Sequence, residues 1–134
     1  MDKSNNDELH IFADKHLKLF LLMNQWTRLL QDKKYIKSFF ENRNYKKIAI
    51  YGFSIVGETL ERELRDTDIK IAYIVDKNAE YMYAPTKIIQ PAEEFEDVDI
   101  MVVTAIDNSA KLINDLQNKC DFKVISIEDI IKEV

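Results

Sequence analysis

A chain of 134 residues suits one domain and is long enough to bury a core of its own. Hydrophobic residues make up 46% and charged residues 32%, the balance of an ordinary globular protein rather than a disordered one. A net charge of −5 argues against nucleic acid or an anionic membrane as partner, and a lone cysteine, Cys120, forms no internal disulfide, which fits a reducing, cytoplasmic setting.

Residues 1 to 7 are polar, carry Asp2 and Asp7 beside Lys3, lack the basic start of a signal peptide, and are expected to fray. The longest early apolar run, Leu19 to Met23, is far short of the ~20 residues a membrane span needs. From Glu8 the pattern is helical. Leu9, Phe12, His16, Leu19, Met23, Trp26 and Leu30 follow alternating steps of three and four, and Ala13, Leu17, Phe20, Leu22 and Leu29 widen the stripe. Such a helix, ~35 Å long, exceeds the cover a small sheet requires. Its stripe either packs on its own domain or pairs with a second copy in a homodimer. Asp32 is placed to cap a second helix with Ile36, Phe39 and Phe40 on one face. Residues 1–44 thus read as a helical extension and 45–134 as a separate domain.

The next stretch, Lys47 to Asp76, reads strand, glycine turn, helix, strand, acidic residue. Ile48 to Tyr51 is apolar on both faces, as a strand buried in a parallel sheet would be. The helix from Ile55 to about Arg65 puts Val56, Leu60 and Leu64 inward and pairs Glu58 with Arg62 and Glu61 with Arg65 outside. Ile69 to Val75 forms the second strand. After a loop, Lys87 to Ile89 reads as a third strand, and Pro91 opens a short helix over Ala92 to Phe95. Ile100 to Val103 is a fourth, doubly buried strand. Asp107 or Asn108 caps a helix with Leu112, Ile113 and Leu116 inward; Phe122 to Ile125 is a fifth strand; Ser126 and Asp129 make a capping box for a last helix. Alternating strands and helices imply an α/β fold with a five-stranded parallel sheet of order 3-2-1-4-5, whose functional crevice lies at the carboxyl ends of strands 1 and 4.

The only glycines are Gly52 and Gly57. In Gly52-Phe53-Ser54-Ile55-Val56-Gly57 they supply the first and third glycines of the dinucleotide fingerprint G-x-G-x-x-G, with Ser54 where the second belongs. The first permits a tight turn and the third lets the helix lie close to the sheet. A Cβ at Ser54 narrows the approach of a pyrophosphate, while its hydroxyl is placed to cap the helix or meet a phosphate. Asp76, 24 residues after Gly52, is placed to hold a ribose 2′-hydroxyl, which favours NAD over NADP. The plainer alternative is a tight βα turn with Asp76 simply ending a strand. Thr104 and Asn108, after the fourth strand, face the turn across the crevice as ligand-binding or ordinary loop residues.

Rival chemistries fit poorly. Glu58 occupies the lysine position of a Walker A loop and reverses its electrostatics. A nucleophile elbow at Ser54 has its last glycine one residue late, and both histidines, His10 and His16, precede it. Tyr83 and Lys87 have the Y-x-x-x-K spacing of short-chain dehydrogenases, but Pro85 between them breaks the helix that spacing needs. Cys120 has only Lys119 as a basic neighbour and reads as an inert thiol.

The stretch YKKIAIYGFSIVGETLERELRDTDIKIAYIVDKN, followed by KIIQPAEEFEDVDIMVVTA and KVISIEDII, resembles the Rossmann-like, NAD(P)-binding-like modules associated with bacterial surface-polysaccharide and nucleotide-sugar biosynthesis. The resemblance covers about residues 45 to 131 and implies a nucleotide, NAD or a nucleotide-sugar as ligand, bound by Gly52, Phe53, Ser54, Ile55, Val56, Gly57, Asp76 and Thr104. It implies an accessory binding module. The alternatives are an interaction or dimerisation module that has lost its ligand, and a fragment of a sugar-nucleotide oxidoreductase.

Overall fold

The structure, a computed structural model, describes residues 3–134. Five parallel strands, β1 (Lys47–Tyr51), β2 (Lys70–Val75), β3 (Ile88–Ile89), β4 (Ile100–Val103) and β5 (Lys123–Ser126), form one sheet in the order 3-2-1-4-5. The helices are α1 (Lys3–Gln31), α2 (Lys37–Asn42), α3 (Ile55–Leu64), α4 (Ser109–Lys119) and α5 (Ile127–Glu133).

Strand alternation divides the core in two. Ile48, Ile50, Ile74, Ile100 and Val102 point to one face, where they meet Val56, Leu60 and Leu64 of α3 and Ile127, Ile130 and Ile131 of α5. Leu22 and Trp26 of α1, with Ile36, Phe39 and Phe40, belong to this same cluster, so the extension shares the core of the sheet. Ala49, Tyr73, Val75, Met101 and Val103 point to the other face, beneath Leu112, Ile113 and Leu116 of α4. The β1–β2 register slips between Ile48 and Ala49: Ile48 lies opposite Ile71 but Ala49 opposite Tyr73, leaving Ala72 as a bulge.

Several local expectations change. α1 is already helical at Lys3, ahead of its apolar pattern; residues 1 and 2, where fraying was also expected, lie outside the described residues. Asp32 caps nothing. It lies in the turn that ends α1, where its N–H donates to the Arg28 carbonyl and Lys33 adopts φ +58°, and α2 starts at Lys37 behind Ile36 with no side-chain cap. The helix expected over Ala92 to Phe95 is absent. A four-residue helix is costly to nucleate, and here irregular backbone with a bend at Glu93 and Glu94 makes the tertiary contacts. Phe95 stacks on Tyr73 with ring centroids 6.2 Å apart, the Tyr73 hydroxyl donates to the Glu96 carbonyl at 2.7 Å, and the Lys119 ammonium donates to the Ala92 carbonyl at 2.7 Å. This segment covers the sheet face that a crossover helix would otherwise cover. The Ser126 cap is present, its hydroxyl accepting the Asp129 N–H at 3.1 Å.

Candidate functional site

β1 delivers the chain to Gly52, which turns at φ +103°, a conformation that side-chain-bearing residues rarely adopt. A Cβ here would also lie 2.8 Å from the Thr104 hydroxyl. Gly57, in the first turns of α3, is required for proximity: a Cβ there would overlap the Gly52 carbonyl. Thr104, at the end of β4 and only 1% exposed, donates its hydroxyl to the Gly52 carbonyl at 2.7 Å and lies 3.2 Å from the Tyr51 carbonyl. Gly52, Gly57 and Thr104 thus interlock the two crevice loops, and the Thr104 hydroxyl is spent on that role.

Asp76 closes the turn from the other side. One carboxylate oxygen accepts the Phe53 N–H at 2.9 Å and the other accepts the Asn78 N–H at 2.9 Å. Asp76 therefore does more than end a strand. It pins the glycine turn to the carboxyl end of β2. Burial, with the Asp76 charge adding to it, pushes the Tyr51 phenol above its usual 10.

A cleft of about 250 Å3 opens at the carboxyl ends of β1 and β4. Ser54, Ile55 and Val56 form one wall and Thr104, Ala105, Ile106 and Asp107 another. Ser54 occupies the N-cap position of α3 but its hydroxyl makes no capping bond, and its side chain is exposed. The positive end of α3 is thus uncapped beside the cleft. Phe53 and Val56 turn their side chains into the core, whereas Ile55 is exposed. Of the sequence-expected residues, Ser54, Ile55, Val56 and Thr104 line this cleft; Gly52, Phe53, Gly57 and Asp76 shape the turn behind it. Asn108 sits at φ +52° before α4 and makes no side-chain cap.

The third wall comes from α1. Lys15 and Leu19 line the cleft, and the Lys15 ammonium pairs with Asp107 at 3.4 Å, both side chains half exposed. Position along α1 is fixed by Glu63 near the far end of α3. Its carboxylate accepts the Trp26 indole N–H at 2.8 Å and the Ile36 N–H at 2.7 Å. With Lys15 at the amino end of α3 and Trp26 at its carboxyl end, α1 runs in the same direction as α3. Lys15 was not legible as a site residue by type. Its signal is spacing: Lys15, Leu19, Leu22 and Trp26 share one helix face in steps of four, three and four.

Elsewhere, burial pushes the Cys120 thiol above its usual value, which makes a poor nucleophile. No helix among the described residues is long and apolar enough to cross a membrane. No family model, curated protein or solved structure matches this chain.

Proposed function

We propose that this is a Rossmann-like binding module for a phosphate-bearing ligand of the nucleotide or nucleotide-sugar class, with no reaction of its own. The observation that carries this reading is the uncapped amino end of α3 beside a cleft whose facing wall contributes a lysine. The N–H groups of a first helical turn and the helix dipole attract an anion. Ser54 adds a free hydroxyl, and Lys15 supplies the cation that the acidic chain otherwise withholds from this face. Asp107 sets the strength of that cation by pairing with it.

A phosphate seated at Ser54 to Val56 leaves the rest of a nucleotide free to cross the turn towards Asp76. Each Asp76 oxygen already accepts one backbone N–H and keeps a second lone pair, so it can take a ribose hydroxyl without releasing the turn. That the module runs no reaction of its own rests on the side chains that line the cleft. The Thr104 hydroxyl is committed to Gly52, and the Asp107 carboxylate faces the Lys15 ammonium at 3.4 Å. No histidine, cysteine or glutamate lines the cleft with Ser54. A role beside the enzymes of surface-polysaccharide assembly rests on the sequence resemblance alone.

A thermal-shift series with NAD, ADP, a UDP-sugar and pyrophosphate tests the reading. At a ligand concentration about 100-fold above Kd, stabilisation is about 2.7 kcal/mol. Shifts with the phosphate-bearing compounds that vanish in Lys15→Glu support the reading. No shift with any of the four, under conditions where the protein is folded, refutes it.

A further inference from the structure

α1 carries two apolar faces, and the domain uses only one. Leu22 and Trp26 are buried and Leu19, Met23 and Leu29 are partly buried against the core. A second face, rotated by roughly a third of a turn at ~100° per residue, holds Leu9, Phe12, Ala13, His16, Leu17 and Phe20. Its large members are open: Leu9 is 65% exposed, Phe12 61%, Leu17 56% and Phe20 69%. The five charged side chains between residues 7 and 18, Asp7, Glu8, Asp14, Lys15 and Lys18, all fall on the opposite half of the helix. The face is therefore apolar apart from His16 and holds no acidic residue, lysine or arginine, on a helix bonded to Glu63 near its other end.

We infer that this face pairs with the same face of a second copy, forming an antiparallel two-helix interface centred between Asp14 and Lys15. The pattern is self-complementary about that point. Reversing one helix sets Leu9 against Phe20, Phe12 against Leu17, and Ala13 against His16 of the other, so each layer joins side chains of complementary bulk. A parallel pair would set Ala13 against Ala13 and Phe20 against Phe20, alternating voids with crowding, which close packing disfavours. The reversed arrangement also lays the free amino-terminal half of each helix beside the domain-bearing half of its partner.

The area agrees. Aromatic side chains carry about 150–250 Å2 each, so Phe12 and Phe20 with Leu9 and Leu17 offer roughly 450 Å2 per chain. Two copies bury about 900 Å2 from these residues alone, and the flanking side chains bring the total to the ~1,000 Å2 that a specific interface needs. This inference is independent of the ligand proposed above.

Sedimentation equilibrium on the intact chain tests it, with Phe12→Glu/Phe20→Glu as the disrupting variant. Both residues are exposed, so the fold survives, and circular dichroism verifies this. The expected result is a species of twice the 15.8 kDa chain mass for the native protein and of single mass for the variant. Orientation is read by cysteine cross-linking in a Cys120→Ser background. A mixture of Leu9→Cys and Phe20→Cys chains forms a mixed disulfide dimer, whereas Leu9→Cys alone does not cross-link. A monomeric native protein, a dimer indifferent to the double variant, or efficient cross-linking of Leu9→Cys by itself would each overturn the inference.

Discussion

The Asp76 carboxylate holds the Phe53 N–H at 2.9 Å, tying the carboxyl end of β2 to the residue after Gly52. With its second oxygen on Asn78, this acidic group organises two loops at once. An Asp→Asn change retains only one acceptor oxygen, so one of the two N–H groups would face an amide NH2. Asp76→Asn is expected to lower stability by about 1–2 kcal/mol in urea unfolding, and Asp76→Ala by more. A residue that only ended a strand would show neither loss.

The interlock of Gly52, Gly57 and Thr104 predicts a steep order of damage. Gly57→Ala drives a methyl group into the Gly52 carbonyl, where neither backbone can yield cheaply. Its expected cost is at least about 3 kcal/mol. Thr104→Val keeps the shape but removes the hydroxyl that the Gly52 carbonyl accepts, at a cost of about 1–2 kcal/mol. Differential scanning calorimetry on both variants checks the ranking.

Glu63 predicts coupling between the extension and the sheet domain. Glu63→Gln leaves either the Trp26 indole N–H or the Ile36 N–H facing a donor, and is expected to cost about 1–3 kcal/mol. Because Glu63 sets where Lys15 lies, the same variant is expected to weaken phosphate-ligand binding although it is remote from the cleft. Hydrogen exchange of α1 amides, which should quicken around Trp26, separates this release from a general loss of fold.

Asp99 gives a prediction in pH. Backbone N–H groups of Lys47 and Lys46, at 2.9 and 2.8 Å, hold its carboxyl below the usual 3.8. A depressed folded value means a contribution that is complete above the unfolded value and is lost as pH falls through the folded one. Unfolding measured from pH 6 down to pH 2 should therefore lose stability below about pH 4, and Asp99→Asn should flatten that limb.

Much of this architecture was legible because local and global signals agree in Lys47 to Asp76. The doubly apolar Ile48 to Tyr51, the paired glycines and the inward Val56, Leu60 and Leu64 each point to the same βαβ unit, and the parallel 3-2-1-4-5 sheet follows from strand and helix alternation. What sequence could not supply depends on contacts between distant segments. Ala92 to Phe95 has helical propensity but forms an irregular segment held by contacts to Tyr73 and Lys119. The Lys15 charge gains its place because Leu22 and Trp26 pack into the core and Glu63, far along the chain, bonds Trp26. Thr104 and Asp76 were legible as positions near the turn, while their bonds to Gly52 and Phe53 needed the closed loops.

The central claim is that a phosphate group seats at the amino end of α3 in the cleft shared with the loop after β4. Amide chemical-shift mapping during a pyrophosphate titration tests it most directly. The account predicts saturable shifts concentrated at Ser54, Ile55, Val56 and Gly57 and at Ala105 to Asp107, lost in Lys15→Glu and strengthened in Asp107→Asn. Shifts scattered over surface lysines with no saturation, or centred away from the α3 amino end, would contradict it.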